Sequence, residues 1–547
     1  MLFNSLEFAV FFALVYAAYL VLPLRGQNTL LLLAGYVFYG WWDVRFLFLI
    51  VFSTCVDFWV GLMLAEGRVP ARQRWTTSLF LVAAAIAFVG IDHTRGLAGL
   101  LAEPQGALLL GEPTAQWALI AAIGLVLAGN LSHGTLAAMP AERRRRVMIF
   151  VSVFVNLGFL AVFKYFNFFI DSAAQLIASL GGDPALFRLH IILPVGISFY
   201  TFQSLSYTLD VGRGLIQPTS RLRDFALFVA YFPPLVAGPI ERARHLLPQL
   251  LEARRVRLRQ VASGCWLILF GLFKKVAVAD GVAPAVDAVF GSSAPVSGTD
   301  VAIATLLFAV QIYCDFSGYS DIARGVSRLM GIELMVNFRL PYFSKNPSEF
   351  WRRWHISLSS WLRDYLYIPL GGNRKGEGRT YANLMTTMVL GGLWHGAAWN
   401  YVLWGFYQGL LLCGHRLLTG GREARAEDGG ASNPVADALR ILFFFVFVCY
   451  GWLLFRAVSF DQIVAFTAAL LGFGPSGLPS IVPKLPLSAI VGIALLVVLD
   501  VMQYRSKRPD AVLGWPRPLQ GAVIAYAVFA LVMGTSNAPV QFIYFQF

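Results

Sequence analysis

Charged residues are scarce in this chain of 547 residues, since Asp, Glu, Lys and Arg together make up 13% of it. Average soluble proteins carry about 25%. Hydrophobic residues reach 58%, and the mean hydropathy is +0.66. A water-exposed surface needs more charge than this, so the composition excludes an ordinary soluble protein and predicts an integral membrane protein.

Several catalytic signatures are missing as well. The chain has no GxxxxGK[ST] phosphate loop and no GxSxG elbow, and GRGLIQ (212–217) fails the dinucleotide pattern at its last position. An ATP-driven pump and a serine hydrolase are therefore not indicated. No CxxC pair occurs, so neither disulfides nor zinc are expected. We expect all five cysteines to be buried small hydrophobic residues: Cys55, Cys265, Cys314, Cys413 and Cys449.

Apolar runs long enough to cross a bilayer recur along the chain, for example over residues 118–136 and 521–533. A spanning helix needs about 20 mostly apolar residues. We expect one all-α, polytopic membrane domain over residues 1–547, with about 12 to 14 crossing helices. The opening MLFNSLEFAVFF has no Lys or Arg before its apolar run and no cleavage site, so it predicts a first transmembrane helix rather than a signal peptide.

The net charge of +13 is explained by membrane topology. The basic residues cluster in short loops, which the positive-inside rule assigns to the cytoplasm. No nucleic-acid partner is therefore expected. Loops 92–115 and 457–486 are poor in Lys and Arg, and we expect them and both termini to face outward. The main basic clusters contain Arg68, Arg72, Arg74, Arg143 to Arg146, Arg242, Arg244, Arg254, Arg255, Arg374, Lys375, Arg379, Arg505, Lys507 and Arg508.

Two stretches differ from simple spans. Prolines interrupt YFPPLVAGPIERARHLLPQL (231–250), so continuous helix is not expected there, and the stretch predicts a re-entrant or interfacial segment. Residues 346–372 mix Trp with Arg, which predicts short tilted helices at the cytoplasmic face. Residues 420–434, rich in Gly, Ala and charge, are predicted to be a disordered loop.

Among seven histidines, His395 is the most unusual, because it lies well inside the apolar run GGLWHGAAWNYVLWG (391–405). Ionisable residues at membrane depth usually face a cavity and mark a functional path. The alternative is a neutral histidine bonded to a backbone carbonyl. His355, in RRWHISLS, has an interfacial setting and either a functional or a capping role. The other five have loop or span-end positions: His93, His133, His190, His245 and His415.

Metal binding is not predicted at either histidine. Helical zinc sites pair ligands at i and i+3 or i+4, and around His395 and His355 those positions hold no strong ligand. In YCDFSGYSDIARG (313–325), Asp321 and Arg324 can pair on one helix face. Such a pair either lines a substrate path or fixes helix packing, and we favour packing.

Two long motifs resemble the membrane-bound O-acyltransferase family. They are EFWRRWHISLSSWLRDYLYIPLGGNRKG (349–376) and the run around His395, and YFPPLVAGPI, YCDFSGYSDIARG and GWLLFRA (451–457) fit the same pattern. Within the family, the resemblance is to bacterial alginate and polysaccharide O-acetylation proteins, and it covers nearly the whole chain.

The resemblance implies a fold of many helices around a tunnel through the membrane. It implies that His395 is the catalytic histidine deep in the tunnel and that His355 is the second characteristic histidine. The expected donor is cytoplasmic acetyl-CoA, with no permanently bound cofactor. The expected acceptor approaches from the periplasm, through a partner protein that acetylates a polysaccharide.

The chemistry agrees with this, because acetyl transfer to a hydroxyl needs a general base, although histidine could also carry the acetyl group itself. Small residues are expected to leave room beside His395, namely Gly391, Gly392, Gly396, Ala397 and Ala398. Predicted substrate-binding residues are Arg352, Arg353, Trp394, Asn400 and Asp315. Further cations that could meet CoA phosphates, unless they only reflect topology, are Lys345, Arg363, Arg374 and Lys375.

Three alternatives stay open at this point. A transporter also buries polar residues and breaks helices, but many transporters have repeated halves, and this sequence shows no such repeat. A related enzyme would transfer D-alanine from a carrier protein to teichoic acid. A lipid acyltransferase using long chains would need a wider lateral opening.

Overall fold

Helices form the regular structure of the residues that this computed structural model describes, which are 1–95, 108–183, 192–420, 433–475, 477–506, 511–534 and 542–543. Apart from one bridge between Ile91 and Leu108, these residues contain no strand. The predicted all-helical class is confirmed. His190 and most of the predicted disordered loop lie outside the described residues.

The chain divides into two compact units. Unit 1 comprises Met1–Val256 and Met330–Leu334, and unit 2 comprises Arg257–Leu329 and Met335–Phe547. A single membrane domain over the whole chain stays a prediction.

Unit 1 is built around helix α3 (Leu47–Glu66), most of whose side chains are buried, and α3 packs against α4 (Ala71–Phe88), α6 (Ala141–Leu160) and α8 (Ile197–Gly212). A capping side chain marks the start of helix α1 (Leu6–Val21), where the Ser5 hydroxyl accepts a hydrogen bond from the Phe8 amide. The helices are α1 Leu6–Val21, α2 Leu24–Gly40, α3 Leu47–Glu66, α4 Ala71–Phe88, α5 Pro113–Ala138, α6 Ala141–Leu160, α7 Phe166–Ser179, α8 Ile197–Gly212, α9 Leu222–Ala230 and α10 Ala243–Leu251.

A polar seam joins α3 to α6 inside unit 1. Asp57 on α3 is fully buried. Ser152 Oγ donates to Asp57 Oδ1 at 2.6 Å, and Asn156 Nδ2 donates to Asp57 Oδ2 at 2.9 Å. In an apolar surrounding every polar group needs such a partner, so the seam fixes the register of the two helices.

Unit 2 is centred on the long helix α13 (Gly298–Leu329), which packs closely on α11 (Leu258–Leu272). A Cβ on Gly264 would lie 3.0 Å from the Gly325 carbonyl oxygen, so the two backbones meet at small residues, as membrane helices commonly do. The helices are α11 Leu258–Leu272, α12 Asp280–Phe290, α13 Gly298–Leu329, α14 Pro347–Arg353, α15 Ile356–Leu362, α16 Glu377–His395, α17 Trp399–Thr419, α18 Pro434–Arg456, α19 Phe460–Leu470, α20 Leu487–Ser506 and α21 Arg517–Gly534.

Buried ion pairs tie α13 to the π-helical segment Phe273–Ala279 that joins α11 to α12. Lys274 Nζ lies 2.5 Å from Asp321 Oδ2, and Lys275 Nζ lies 2.7 Å from Asp315 Oδ1. Arg324 pairs with Asp321 at 3.1 Å, so the pair predicted from the sequence is confirmed. These contacts hold helices together, as we expected of Asp321 and Arg324.

Eight helical segments of the described chain are long and apolar enough to cross a membrane, and the protein is a multi-pass membrane protein. Their burial within the protein differs widely, from 89% of the most apolar window in the segment beginning at Val44 to 6% in α5. The exposed apolar helices require lipid around them. The segments are Val44–Glu66, Pro113–Ala138, Ala141–Ser179, Leu258–Phe290, Gly298–Leu329, Pro434–Arg456, Leu487–Ser506 and Arg517–Gly534.

The stretch that is rich in proline has the predicted break. Helix α9 ends at Ala230 and α10 begins at Ala243, and the intervening residues are buried without forming a helix. Residues 346–372 form α14, α15 and the π-helical segment Arg363–Tyr367, which confirms the prediction of short helices. The depth of both stretches in the bilayer and the number of crossings stay predictions.

The cysteine prediction holds only in part. Cys55, Cys314 and Cys449 are buried, and Cys413 is half-buried, but Cys265 is exposed. It follows Gly264, which faces α13, so Cys265 is rotated about 100° away from that contact and points outward. None of the five, all of which are described, forms a disulfide.

Candidate active site

Two buried histidines of unit 2 lie side by side. The centroids of the His355 and His395 rings are 6.2 Å apart. His355 is 0% exposed and His395 is 4% exposed. The fold therefore brings together the two residues that the sequence motifs emphasised.

His395 is the last residue of α16 rather than the middle of a continuous helix. Gly396 and Ala398 have extended backbones, and α17 begins at Trp399. The apolar run is thus a helix, a short turn and a second helix. His395 therefore lies at the point where α16 ends and the turn begins.

The small residues of this run have two different roles. Gly391 lines a cavity, as expected. Gly392 lies against the Tyr401 carbonyl, and a Cβ on Gly396 would overlap the Tyr401 ring. The prediction that these glycines all leave open room beside His395 is therefore wrong for Gly392 and Gly396, because close packing of α16 on α17 uses that space.

His355 occupies a strained turn between α14 and α15. Its φ is 43°, a left-handed conformation that is uncommon outside glycine. Asn337 holds the following residues in place. The Ile356 amide donates to the Asn337 carbonyl at 2.9 Å, and Ser357 Oγ donates to Asn337 Oδ1 at 2.6 Å.

Aromatic rings enclose both histidines. The His395 ring lies 5.2 Å from Trp394, 5.2 Å from Trp404 and 5.6 Å from Phe455, measured between centroids. The Trp394 ring also lies 5.9 Å from His355. Such an enclosure leaves the imidazoles in mostly apolar surroundings.

The enclosure also sets the charge of His355, which lies outside the eight candidate spans. Burial lowers the pKa of the His355 imidazole well below its usual range, and the neighbouring His395 lowers it further. His355 is therefore neutral near pH 7. A neutral imidazole can both donate and accept a hydrogen bond.

A cavity of about 270 Å³ reaches His395. It follows α17 from Trp404 to Arg416. The walls are mostly apolar, and Ser359, Thr387 and Arg363 add polar groups. The apolar lining includes Leu358, Leu362, Leu384, Met388 and Leu412. This is a mostly apolar pocket with few polar groups, as in many small-molecule sites.

Of the predicted substrate-binding residues, Trp394 contacts both histidines, but the two arginines do not line the cavity. Arg353 pairs with Glu349 at 2.5 Å, four residues before it on α14. Arg352 is exposed. Their binding role stays a prediction.

Asn400 and Asp315 also bond to protein groups. Asn400 Nδ2 donates to the Phe455 and Ala457 carbonyls at 3.1 and 3.0 Å. Asp315 pairs with Lys275. These bonds fix helices, and any contact of either residue with substrate stays a prediction.

Arg416 is the cavity residue that sequence reasoning missed. A single cation near the end of an apolar helix is explained by topology alone, so no pattern in the residues selects it. The available signal was spacing. Trp404, Leu412 and Arg416 are separated by multiples of four residues, so they share one face of α17.

Within the described residues, no group of three or more His, Cys, Asp or Glu side chains could hold a metal ion. The arrangement instead supports acid–base or nucleophilic chemistry by an imidazole in an apolar, water-poor pocket.

Comparison with known proteins gives a consistent result. The model of the membrane-bound O-acyltransferase family matches residues 213–455, which include both histidine motifs. A probable alginate O-acetylase of Azotobacter vinelandii is 38% identical over 477 residues, which cover 87% of this chain and 79% of that protein. A probable alginate O-acetylase of Pseudomonas putida is 35% identical over the full length of both chains. A peptidoglycan O-acetyltransferase of Helicobacter pylori is 34% identical, over 60% of this chain and 65% of its own.

Proposed function

This chain belongs to the membrane-bound O-acyltransferase family, and from that premise we propose that it transfers acetyl groups from acetyl-CoA for polysaccharide O-acetylation, with His395 as the catalytic residue. It is an O-acyltransferase and a multi-pass membrane protein. Because two relatives are named as alginate O-acetylases, an alginate-like exopolysaccharide is the final acceptor in this proposal.

The observation that carries the proposal is the cavity that ends at His395. It is apolar, and it gives a slender ligand a path along α17 to one imidazole. Of the two histidines, only His395 lines it. The His355 ring lies 6.2 Å from the His395 ring, between centroids, and does not line the cavity. In this proposal the donor thioester reaches His395 through the cavity, and the acceptor hydroxyl comes from the side of His355.

In the proposed reaction, His395 removes the proton of the acceptor hydroxyl as the oxygen attacks the thioester carbonyl. The new C–O ester bond forms, the C–S bond breaks, and the proton passes from His395 to the departing thiolate. Positioned proton transfer of this kind contributes about 10²- to 10⁴-fold to a rate. No resident metal or cofactor is required.

His355 acts as the second histidine of the pair. Because burial keeps it neutral, it can hold the acceptor hydroxyl by a hydrogen bond without adding a charge next to His395. The surrounding Trp394, Trp404 and Phe455 rings keep water away from the thioester, which protects it from hydrolysis.

The proposed setting is the bacterial inner membrane, with the basic loops in the cytoplasm and both termini in the periplasm. Acetyl-CoA then binds from the cytoplasm. The acetyl group leaves toward the periplasm, where a partner acetyltransferase places it on the polysaccharide.

The test is donor turnover by purified protein in detergent. Wild type, His395→Ala and the control His415→Ala receive acetyl-CoA with a labelled acetyl group, and membrane extract supplies the partner and acceptor. His415 lies on α17 but does not line the cavity. We expect wild type and His415→Ala to release CoA and transfer label, and His395→Ala to bind the donor and lose at least about a hundredfold in rate.

Equal CoA release by wild type and His395→Ala would remove His395 from the chemistry. Failure of wild type to use acetyl-CoA would remove that donor and favour a carrier-bound acyl group or transport. Acid-quenched protein distinguishes the two roles of His395, because labelled acetyl-histidine accumulates only if the imidazole is the nucleophile.

A further inference from the structure

The cavity contains a positive charge at the opposite end from His395. Arg416 lies on α17 and is half-buried. It forms no ion pair with any described residue, and its Nε atom is buried without a hydrogen-bond partner among them. Arg363, the other arginine of the lining, is different, because its side chain is 63% exposed and pairs with Asp364 at 2.8 Å.

A half-buried guanidinium without a partner is energetically unfavourable, since charged groups out of water are normally paired. An anion inside the cavity would supply the missing partner. Guanidinium groups bind phosphate through two parallel hydrogen bonds, so phosphate suits Arg416 better than a single-point acceptor does. The ligand of this end of the cavity is therefore expected to carry a phosphate group.

The length of α17 limits what that ligand can be. Trp404, beside His395, and Arg416 are twelve residues apart on this helix, which is about 18 Å along its axis. The Arg416 side chain leans toward the N-terminus of its helix and shortens this separation. A 4′-phosphopantetheine arm has about thirteen bonds from phosphorus to sulfur and spans about 15 Å when extended, at 3.3–3.6 Å for every three bonds.

We propose that Arg416 binds the phosphate of a 4′-phosphopantetheine arm whose thioester lies at His395. The proposal rests on the proposed acyl transfer and names the group that this end of the cavity recognises. Coenzyme A and acylated carrier proteins share this arm, and Arg416 recognises the part that they share. The apolar walls between Arg416 and His395 fit the mostly uncharged length of the arm.

Donors that differ in one phosphate test the proposal. Acetyl-CoA, acetyl-4′-phosphopantetheine and acetyl-pantetheine are given to wild type, Arg416→Gln, Arg416→Lys and the control Arg440→Gln, and kcat/KM for thiol release is measured. Arg440 is exposed on α18 and does not line the cavity. A carrier protein that bears an acetyl-phosphopantetheine arm is the fourth donor, and it distinguishes a carrier source from CoA.

We expect wild type and Arg440→Gln to prefer acetyl-phosphopantetheine over acetyl-pantetheine by about 10- to 100-fold, as for loss of charge-assisted hydrogen bonds. Arg416→Gln should lose this preference, because its rate with the phosphorylated donor falls toward its rate with acetyl-pantetheine. Arg416→Lys should keep part of the preference, because a point charge replaces the fork. If only the carrier is used, the same fold loss in Arg416→Gln is expected with it.

An unchanged phosphate preference in Arg416→Gln overturns the proposal. So does an equal fall in the rates with all donors, since that marks Arg416 as structural. Wild type that uses none of the four donors overturns the proposed function as well. Activity of wild type with equal rates for the phosphorylated and unphosphorylated donors overturns the phosphate site alone.

Discussion

Ionisable side chains are buried at two places in unit 2. At one place they form ion pairs, and at the other they are enclosed by aromatic rings. At the segment Phe273–Ala279, Lys274 and Lys275 face carboxylates of α13 at 2.5 and 2.7 Å. At the histidine pair, aromatic rings surround His355 and His395, and no acidic side chain of the described residues lines the cavity that reaches His395.

The difference separates structural from chemical use of a buried ionisable group. A lysine paired with a buried carboxylate fixes two helices, and removing either partner leaves an uncompensated charge. An imidazole kept neutral by its surroundings is available to accept or donate a proton. The paired cluster should therefore govern stability, and the aromatic cluster should govern turnover.

The largest expected effect is on stability, from Lys275→Met. The substitution leaves both Asp315 and Asp280 without their shared cation, and breaking a buried pair costs about 3–5 kcal/mol. We expect a large fall in the thermal unfolding midpoint in detergent. The double variant Lys275→Met/Asp315→Leu should regain only part of the loss, because Asp280, which also pairs with Lys275 at 2.8 Å, stays without its cation.

The control is Lys484→Met, because Lys484 is exposed in unit 2 and its replacement should change stability by less than about 0.5 kcal/mol. His395→Ala should lower the midpoint less than Lys275→Met does and should abolish turnover, because it removes packed ring atoms but leaves no charge unpaired. A His395→Ala protein as unstable as Lys275→Met would contradict the proposed division of roles.

The next effect comes from the contact between α16 and α17. Gly392→Ala adds a Cβ where the Tyr401 carbonyl lies, and overpacking of this kind costs about 1–3 kcal/mol. Since the contact positions His395, we expect lower stability and lower turnover together. Gly414→Ala on α17 is the matched control, because nothing lies within 4 Å of its Cβ position. Equal unfolding midpoints for Gly392→Ala and Gly414→Ala would show that α16 and α17 are not closely packed at Gly392.

A smaller and more selective effect is expected at Asn337. Asn337→Ala removes the acceptor for Ser357 Oγ and loosens the left-handed turn at His355. We expect kcat to fall about tenfold with the donor KM unchanged, in line with loss of about 1–2 kcal/mol of hydrogen bonding. Asn337→Asp keeps the acceptor and should regain part of kcat. A change in KM alone would place Asn337 in donor binding instead.

The sequence predicted the parts of this picture that depend on local pattern. His355 and His395 stand in long motifs, and the proline-rich break is visible in the residues themselves. The positive charge of Arg353 predicts substrate binding, but in the fold Arg353 pairs with Glu349, and this pairing competes with binding. Such a partner cannot be identified from charge alone. Asn337 was not found, since it belongs to no motif and acts only through the folded turn.

Arg416 was missed for a different physical reason. Topology already accounts for a cation near a helix end, and the absence of an acidic partner is a property of the folded cavity. The exposure of Cys265 is similar, because the direction of a side chain on an apolar helix depends on which neighbour covers it. Hydropathy predicts which segments form membrane helices, but it does not predict which helices pack against one another.

The smallest expected effect compares two histidines by pH. A hydrogen bond from His245 to the buried Glu241, at 2.8 Å, raises the pKa of His245, and Glu333 adds to this, whereas burial lowers the pKa of His355. A raised pKa stabilises the fold below the unfolded value of about 6.5, and the contribution is lost as pH rises through the folded pKa. Because the His245 side chain is 40% exposed, we expect only about 0.2–1 kcal/mol. Unfolding midpoints of wild type and His245→Gln from about pH 5 to pH 8 should therefore converge as pH rises. A gap that widens with pH would mean that His245 is neutral in the fold, as His355 is.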